Sequence, residues 1–413
     1  MFADFGWSRW MWGTLVVLAV TMTYALQVSG SERFSPDGFI YRRMVLEDRG
    51  VSRDAALAQV RAYYNAHPAA VNDPDAPGLY TDHPPAWFTA EYPLFRARTL
   101  VPWLGAQLYP WLQFRALAWI SAAGIVLACG AIYVLLLGFA PPWLAALGAL
   151  AAATTPVVRD VGTIAGTDGP AYALWAICLA ATVSFARRPT TTALAAAVLA
   201  NVVLGTVRPA VWLAPAAAGA LVLAAHFGGR ARLRLRLVLL GAQIAVGLGV
   251  LAFTAAVHGA GFMEQVRWQY AWHVARAGHW TEYGMWAWYA LFVLRDVAIE
   301  ALRLLREGAP LFALVVGLAG LWAMRRDPRV AALAGVVAVA PLAILANPPD
   351  YGRALEIPIT PAIMAGICAL LAAGIRRRGA GAAVDELQRT RIAPLVGPRD
   401  EGVPEMTRAL PPV

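Results

Sequence analysis

Apolar and polar positions along this chain come in long blocks, without the short alternation of a half-buried strand or surface helix. Apolar runs occupy Trp10–Val28, Leu117–Leu137, Pro142–Val158, Pro170–Ala186, Thr192–Val207, Ala210–Phe227, Leu237–Val257, Pro310–Met324, Val330–Ala346 and Glu356–Ile375. Each is near the roughly 17–25 residues an α-helix needs to cross a hydrocarbon core, so the pattern predicts an all-α protein with about ten transmembrane helices. The first run is long, begins with tryptophans and lacks an Ala-x-Ala-like cleavage site. It reads as a retained helix and not as a signal peptide.

Two polar stretches between these runs are far longer than a connection requires: residues 31–113 and 258–309. In the first, Val51–Ala66 begins at a good N-cap, Ser52, and carries Ala55, Leu57, Val60, Tyr63 and Tyr64. Trp87–Trp111 mixes aromatics with Arg96 and Arg98. Both segments read as juxtamembrane helices. The second stretch ends in Trp286–Glu307, whose charges gather on one helical face, as in a helix lying in the interface. Together these elements form one integral-membrane domain over residues 1–378. The polar tail at 379–413 is expected to be cytoplasmic and disordered.

Composition agrees: 59% of residues are hydrophobic and 14% charged. The net charge of +9 comes from arginine alone, much of it in short loops. That distribution sets membrane topology and excludes a nucleic-acid partner. Arg187 and Arg188, Arg230 to Arg236, Arg325 to Arg329 and Arg376 to Arg378 define one side, which the positive-inside rule makes cytoplasmic, with both termini. The opposite, outer side receives both long stretches, Arg159–Asp168, the Arg208–Pro209 turn and Asn347–Arg353. Cys129, Cys178 and Cys368 lie inside apolar runs and read as small buried hydrophobes.

The polar residues able to do chemistry share that outer side. Asp37, in Ser35-Pro36-Asp37-Gly38, suits a β-turn by its residue types. It also sits just beyond the first span, where a carboxylate could take a proton from an attacking hydroxyl. Asp168 suits an N-cap, with Pro170 in the first turn of the helix. Asp160 follows Arg159 at the end of the third span. Outer carboxylates near Asp37 could share a divalent cation, though the ligand pattern is weak. Arg208 sits in a turn that just reaches phosphate depth, where it either snorkels or binds a lipid-linked phosphate. Arg353, Arg96 and Arg98 are further phosphate candidates. Tyr41, Trp280, Glu282 and Tyr283 could line a sugar site, because aromatic faces stack on sugar rings.

These features resemble the GT-C superfamily of integral-membrane glycosyltransferases. The matching segments are SPDGFIYRRM after the first helix, FRARTLVPWLGAQL before the second, RDVGTIAGTDGPAYALW, VRPAVWLAP and NPPDYGRALEIPITP. The likeness covers residues 1–375 in layout and identifies no subfamily. It implies transfer of a sugar from a polyprenyl-phosphate donor to a glycan, lipid or protein acceptor, at the outer face of a bacterial cytoplasmic membrane and with inversion. Asp37 would be the general base, Asp160 or Asp168 a second carboxylate, and Arg208 or Arg353 the holder of the donor phosphate. No Asp-x-Asp or Glu-x-Asp stands beside Asp37, which separates the chain from metal-dependent members. The rival readings are a transporter or lipid flippase, and a non-catalytic membrane scaffold. Span interiors almost free of charge weigh against the transporter.

Overall fold

The computed structural model describes residues 6–30, 34–67, 93–208, 211–228, 232–273, 282–342 and 351–392. Among them 87% are helical and there are no strands. The chain divides into a large unit, Met1–Leu370, and a small one, Leu371–Val413.

All ten apolar runs contain helix, but their lengths differ from the expected pattern. Among the described residues, five helices are long and apolar enough to cross a membrane, or seven if each of two bent pairs is one span. Thr191–Val207, Leu213–Phe227 and Pro328–Leu342 are apolar but shorter. The architecture is that of a helical membrane protein.

In the large unit the first helix, α1 (Gly6–Gly30), is followed by two helices of the first long loop, α2 (Pro36–Asp48) and α3 (Arg53–Asn65). The β-turn reading of residues 35–38 is overturned. Ser35 caps α2, accepting a hydrogen bond on Oγ from the Gly38 amide at 3.0 Å, and Pro36 opens the helix. Pro suits that position because a first-turn residue has no amide partner to lose. The next helix, α4 (Leu100–Leu112), ends where Gln113 adopts φ 49°, and the long α5 (Ala116–Leu136) follows.

The third apolar run breaks into α6 (Pro142–Ala153) and α7 (Pro156–Thr163), bent by 63°. Pro156 and a Thr155 cap on the Val158 amide start the second piece afresh. Residues 156–163 are therefore a short helix, where a loop was expected from Arg159. Next come α8 (Asp168–Arg187), α9 (Thr191–Val207), α10 (Leu213–Phe227) and α11 (Leu233–Ala256). In the second long loop, α12 (Phe262–His273) and α13 (Glu282–Glu307) share a small core of Val266, Tyr270, Met285 and Tyr289. At Gly308, φ 66°, the chain turns by 94° into α14 (Ala309–Ala323). This bend sets the charged α13 nearly perpendicular to the apolar α14. The large unit ends with α15 (Pro328–Val339) and the first part of α16 (Tyr351–Ile392).

In the small unit α16 runs on through Gly379 to Ile392, where a disordered tail was expected. Ala-rich sequence and the i,i+4 spacing of Asp385 and Arg389 favour propagation of a helix already nucleated. Residues 393–413 lie outside the described set.

Packing inverts the soluble pattern. Buried positions are rich in small residues such as Ala128, Ala145, Ala149, Ala176 and Ala217, while Trp10, Leu26, Leu251, Phe312 and Trp322 face outward. Helices approach closely at glycines. An ideal Cβ on Gly169 of α8 would lie 2.3 Å from the Ser121 carbonyl oxygen of α5, and one on Gly124 would lie 2.4 Å from the Gly169 carbonyl carbon. Gly320 and Gly317 of α14 meet Gly366 of α16 with the same closeness.

Several contacts join segments that the sequence pattern assigns to the same side. Segments assigned to the outer side meet one another: the Ala260 amide donates to the Pro93 carbonyl at 2.8 Å, and Arg303 pairs with Glu356. Segments assigned to the cytoplasmic side also meet. Tyr133 donates to the Arg9 carbonyl at 2.6 Å, Arg329 to the Gly138 carbonyl at 2.6 Å and Arg232 to the Arg187 carbonyl at 2.9 Å. Replacing Gly169 by valine should force α5 and α8 apart and destabilise the fold by about 2 kcal/mol or more, overpacking being the cause. Thermal unfolding in detergent, with Gly241→Val as a control at an open position, checks this.

Candidate functional site

Four segments distant in sequence converge around the first turn of α8. The Ser121 hydroxyl on α5 donates to the Gly166 carbonyl at 2.9 Å, locking the turn that precedes α8. Thr167, not Asp168, occupies the N-cap position, and it makes no side-chain cap bond. Its buried hydroxyl instead meets the Tyr41 hydroxyl of α2 at 3.1 Å, and Arg98 Nη1 donates to that same Tyr41 oxygen at 2.6 Å. The predicted N-cap role of Asp168 is thus corrected: its carboxylate pairs with Arg208 from the α9–α10 turn.

Side chains in this pair are 12% and 20% exposed, so its charges are shielded more than a surface pair would be. A carboxylate thus pairs with the Arg208 guanidinium.

Asp37 occupies the first turn of α2, half-exposed, where a helix N-terminus favours a carboxylate. That turn packs on the segment leading into α8. An ideal Cβ on Gly38 would lie 2.9 Å from the Ala165 carbonyl oxygen and 3.1 Å from Arg42 Nη1, which explains why position 38 carries no side chain. Asp37 and the Asp168–Arg208 pair are thus mounted on contacting backbone segments. Asp160 rides on α7, whose Gly162 makes room for the Tyr24 ring of α1.

The remaining candidates separate. Tyr41 is fully buried, so the expectation that it lines a sugar site gives way to a structural role as a strut between Thr167 and Arg98. Arg98, expected to hold phosphate, is engaged with Tyr41 and lies over the Phe95 ring at 4.7 Å. Arg96 lines a different cleft, of about 380 Å³, with Met44, Asp48, Thr99 and Val257. Burial, with Glu47 adding its charge, raises the Asp48 carboxyl above the usual carboxylate range. Trp280 and the side chains of Glu282, Tyr283 and Arg353 lie outside the described residues.

Among the described residues no three His, Cys, Asp or Glu side chains converge as metal ligands.

The sequence reading missed Thr167 and Arg42. Arg42 is 1% exposed, donates from Nη1 to the Tyr64 hydroxyl at 2.6 Å and from Nε to the Phe114 carbonyl at 3.3 Å, and lies over Phe34, Tyr63 and Tyr64. The signal available was the aromatic density of the first loop, which suits a caged guanidinium.

Comparison with models of known families, with curated proteins and with solved structures gives no match to this chain.

A double-mutant cycle on Asp168→Asn and Arg208→Gln should return a coupling of about 1–3 kcal/mol in thermal unfolding. Additive single effects would show that the pair contributes nothing to holding the α9–α10 turn against α8.

Proposed function

We propose that this chain is a GT-C-like membrane glycosyltransferase that moves a sugar from a polyprenyl-phosphate donor to an acceptor hydroxyl at the outer face. One observation carries the reading: the turn bearing a half-exposed Asp37 packs on the segment bearing a shielded Asp168–Arg208 pair. A partly exposed carboxylate and a paired cation on contacting segments support this reading, because in-line displacement at an anomeric carbon uses a base and a phosphate-binding cation.

In this reading the acceptor oxygen attacks the anomeric carbon as Asp37 accepts its proton. The bond from that carbon to the donor phosphate oxygen breaks, the electron pair leaves with the phosphate, and the configuration inverts. Arg208, positioned by Asp168, meets the growing phosphate charge. Arg353 is the second candidate for that role. About ten spans, both termini cytoplasmic and a bacterial cytoplasmic membrane belong to the same proposal. It is supported by the way the predicted outer and cytoplasmic segments meet among themselves.

In lipid-reconstituted protein offered a panel of polyprenyl-phosphate sugars, Asp37→Asn should lower transfer by about 10²–10⁴-fold while donor binding persists. Undiminished transfer by the variant would remove Asp37 as the base. A wild-type protein that neither binds nor turns over any donor, but moves lipid between leaflets, would favour the flippase. For topology, a cysteine placed at Thr99 should label from outside intact cells, and one at Arg326 only after permeabilisation; the reverse pattern would invert the assignment.

A further inference from the structure

The outer surface holds a second polar recess that the sugar-transfer chemistry does not use. It is the cleft of about 380 Å³ lined by Met44, Asp48, Arg96, Thr99 and Val257. Its volume lies within the range of small-molecule sites, roughly 300–1,000 Å³. Asp37 and Asp48 stand at opposite ends of α2, eleven residues apart, or roughly 16 Å at ~1.5 Å per residue. The cleft is therefore distinct from the centre built on Asp37, Asp168 and Arg208.

Three of its lining groups are polar and chemically different. Arg96 supplies a permanent cation with a planar fork of donors, the geometry that suits phosphate. Thr99 stands at the N-cap position of α4 but makes no side-chain cap bond, so its hydroxyl is not spent on the helix. Asp48 adds a carboxyl at the lip, whose oxygens accept hydrogen bonds from hydroxyl groups. Met44 and Val257 supply apolar wall on either side. Such a set matches a ligand with a phosphate, neighbouring hydroxyls and a short carbon skeleton.

The location indicates how that ligand arrives. Val257 directly follows α11, and the face of α11 that precedes it is apolar and open, with Leu248 62% and Leu251 67% exposed. Six residues of helix, roughly 9 Å, separate Leu251 from Val257. An acyl chain lying along Leu248 and Leu251 would bring its headgroup to the level of the cleft. The contact from the Ala260 amide to the Pro93 carbonyl ties this end of α11 to the segment carrying Arg96 and Thr99.

We propose that this cleft binds a hydroxyl-bearing phosphate group, presented as the headgroup of an anionic lipid in the outer leaflet or as a free polyol phosphate. The proposal stands whether or not Asp37 supports sugar transfer, because its test reads binding and not turnover.

The full chain would be placed in phosphatidylcholine nanodiscs doped with phosphatidylglycerol, and retained phosphatidylglycerol counted by native mass spectrometry. Glycerol 1-phosphate would serve as the soluble competitor. Arg96→Ala should reduce the retained anionic lipid at least fivefold, and Asp48→Asn should weaken it less. Val257→Trp, which fills the recess from α11 and leaves every charge in place, should also abolish retention, covering the case in which Arg96→Ala fails to fold. Retention resistant to glycerol 1-phosphate identifies the lipid headgroup as the ligand, and displacement by it identifies the free phosphate; both support the site. Wild-type retention in both Arg96→Ala and Val257→Trp would overturn it.

Discussion

The crossing of α5 and α8 is the constraint on which the cluster around the first turn of α8 depends. Gly124, Gly169 and Ser121 let two backbones touch where most helix pairs are kept apart by side chains. In lipid, apolar burial supplies little drive for helices to associate, so close van der Waals contact must supply it. The same contact fixes residues 166–168, because Ser121 holds the Gly166 carbonyl. Everything polar in that cluster is then referenced to this crossing: Thr167 to Tyr41, Tyr41 to Arg98, and Asp168 to Arg208.

A second constraint acts within the first long loop. Burying a guanidinium is costly unless its donors and its charge are both met. Around Arg42 three aromatic faces, a tyrosine hydroxyl and a backbone carbonyl share that work, and the groups come from Phe34 just before α2, from α3 and from the turn before α5. Tyr64 passes the connection on by donating to the Ser35 carbonyl at 3.2 Å, at the N-cap of the helix that presents Asp37. Residues 34–67 thereby pack around Arg42, and Asp37 sits on a helix held by these contacts. Between the apolar helices α9 and α11, two buried amides share a single hydrogen bond, Asn201 donating to Gln243 at 2.7 Å.

The sequence by itself determined the helical class, the apolar blocks and the two long polar stretches between them. Hydropathy reports these directly, because lipid leaves the backbone no alternative to the helix. Asp37, Asp168 and Arg208 were also legible as residues of interest from their positions at the ends of apolar runs. Tertiary structure decided what each of them does. That Asp168 answers Arg208 across forty residues, that Tyr41 is a buried strut and that Ser35 starts a helix are pairings between segments, and no local pattern encodes them. The breaks at Pro156 and Gly308 were hidden for a related reason: hydropathy averages over a bend, while backbone geometry and the packing on either side determine where a continuous apolar run stops being one helix.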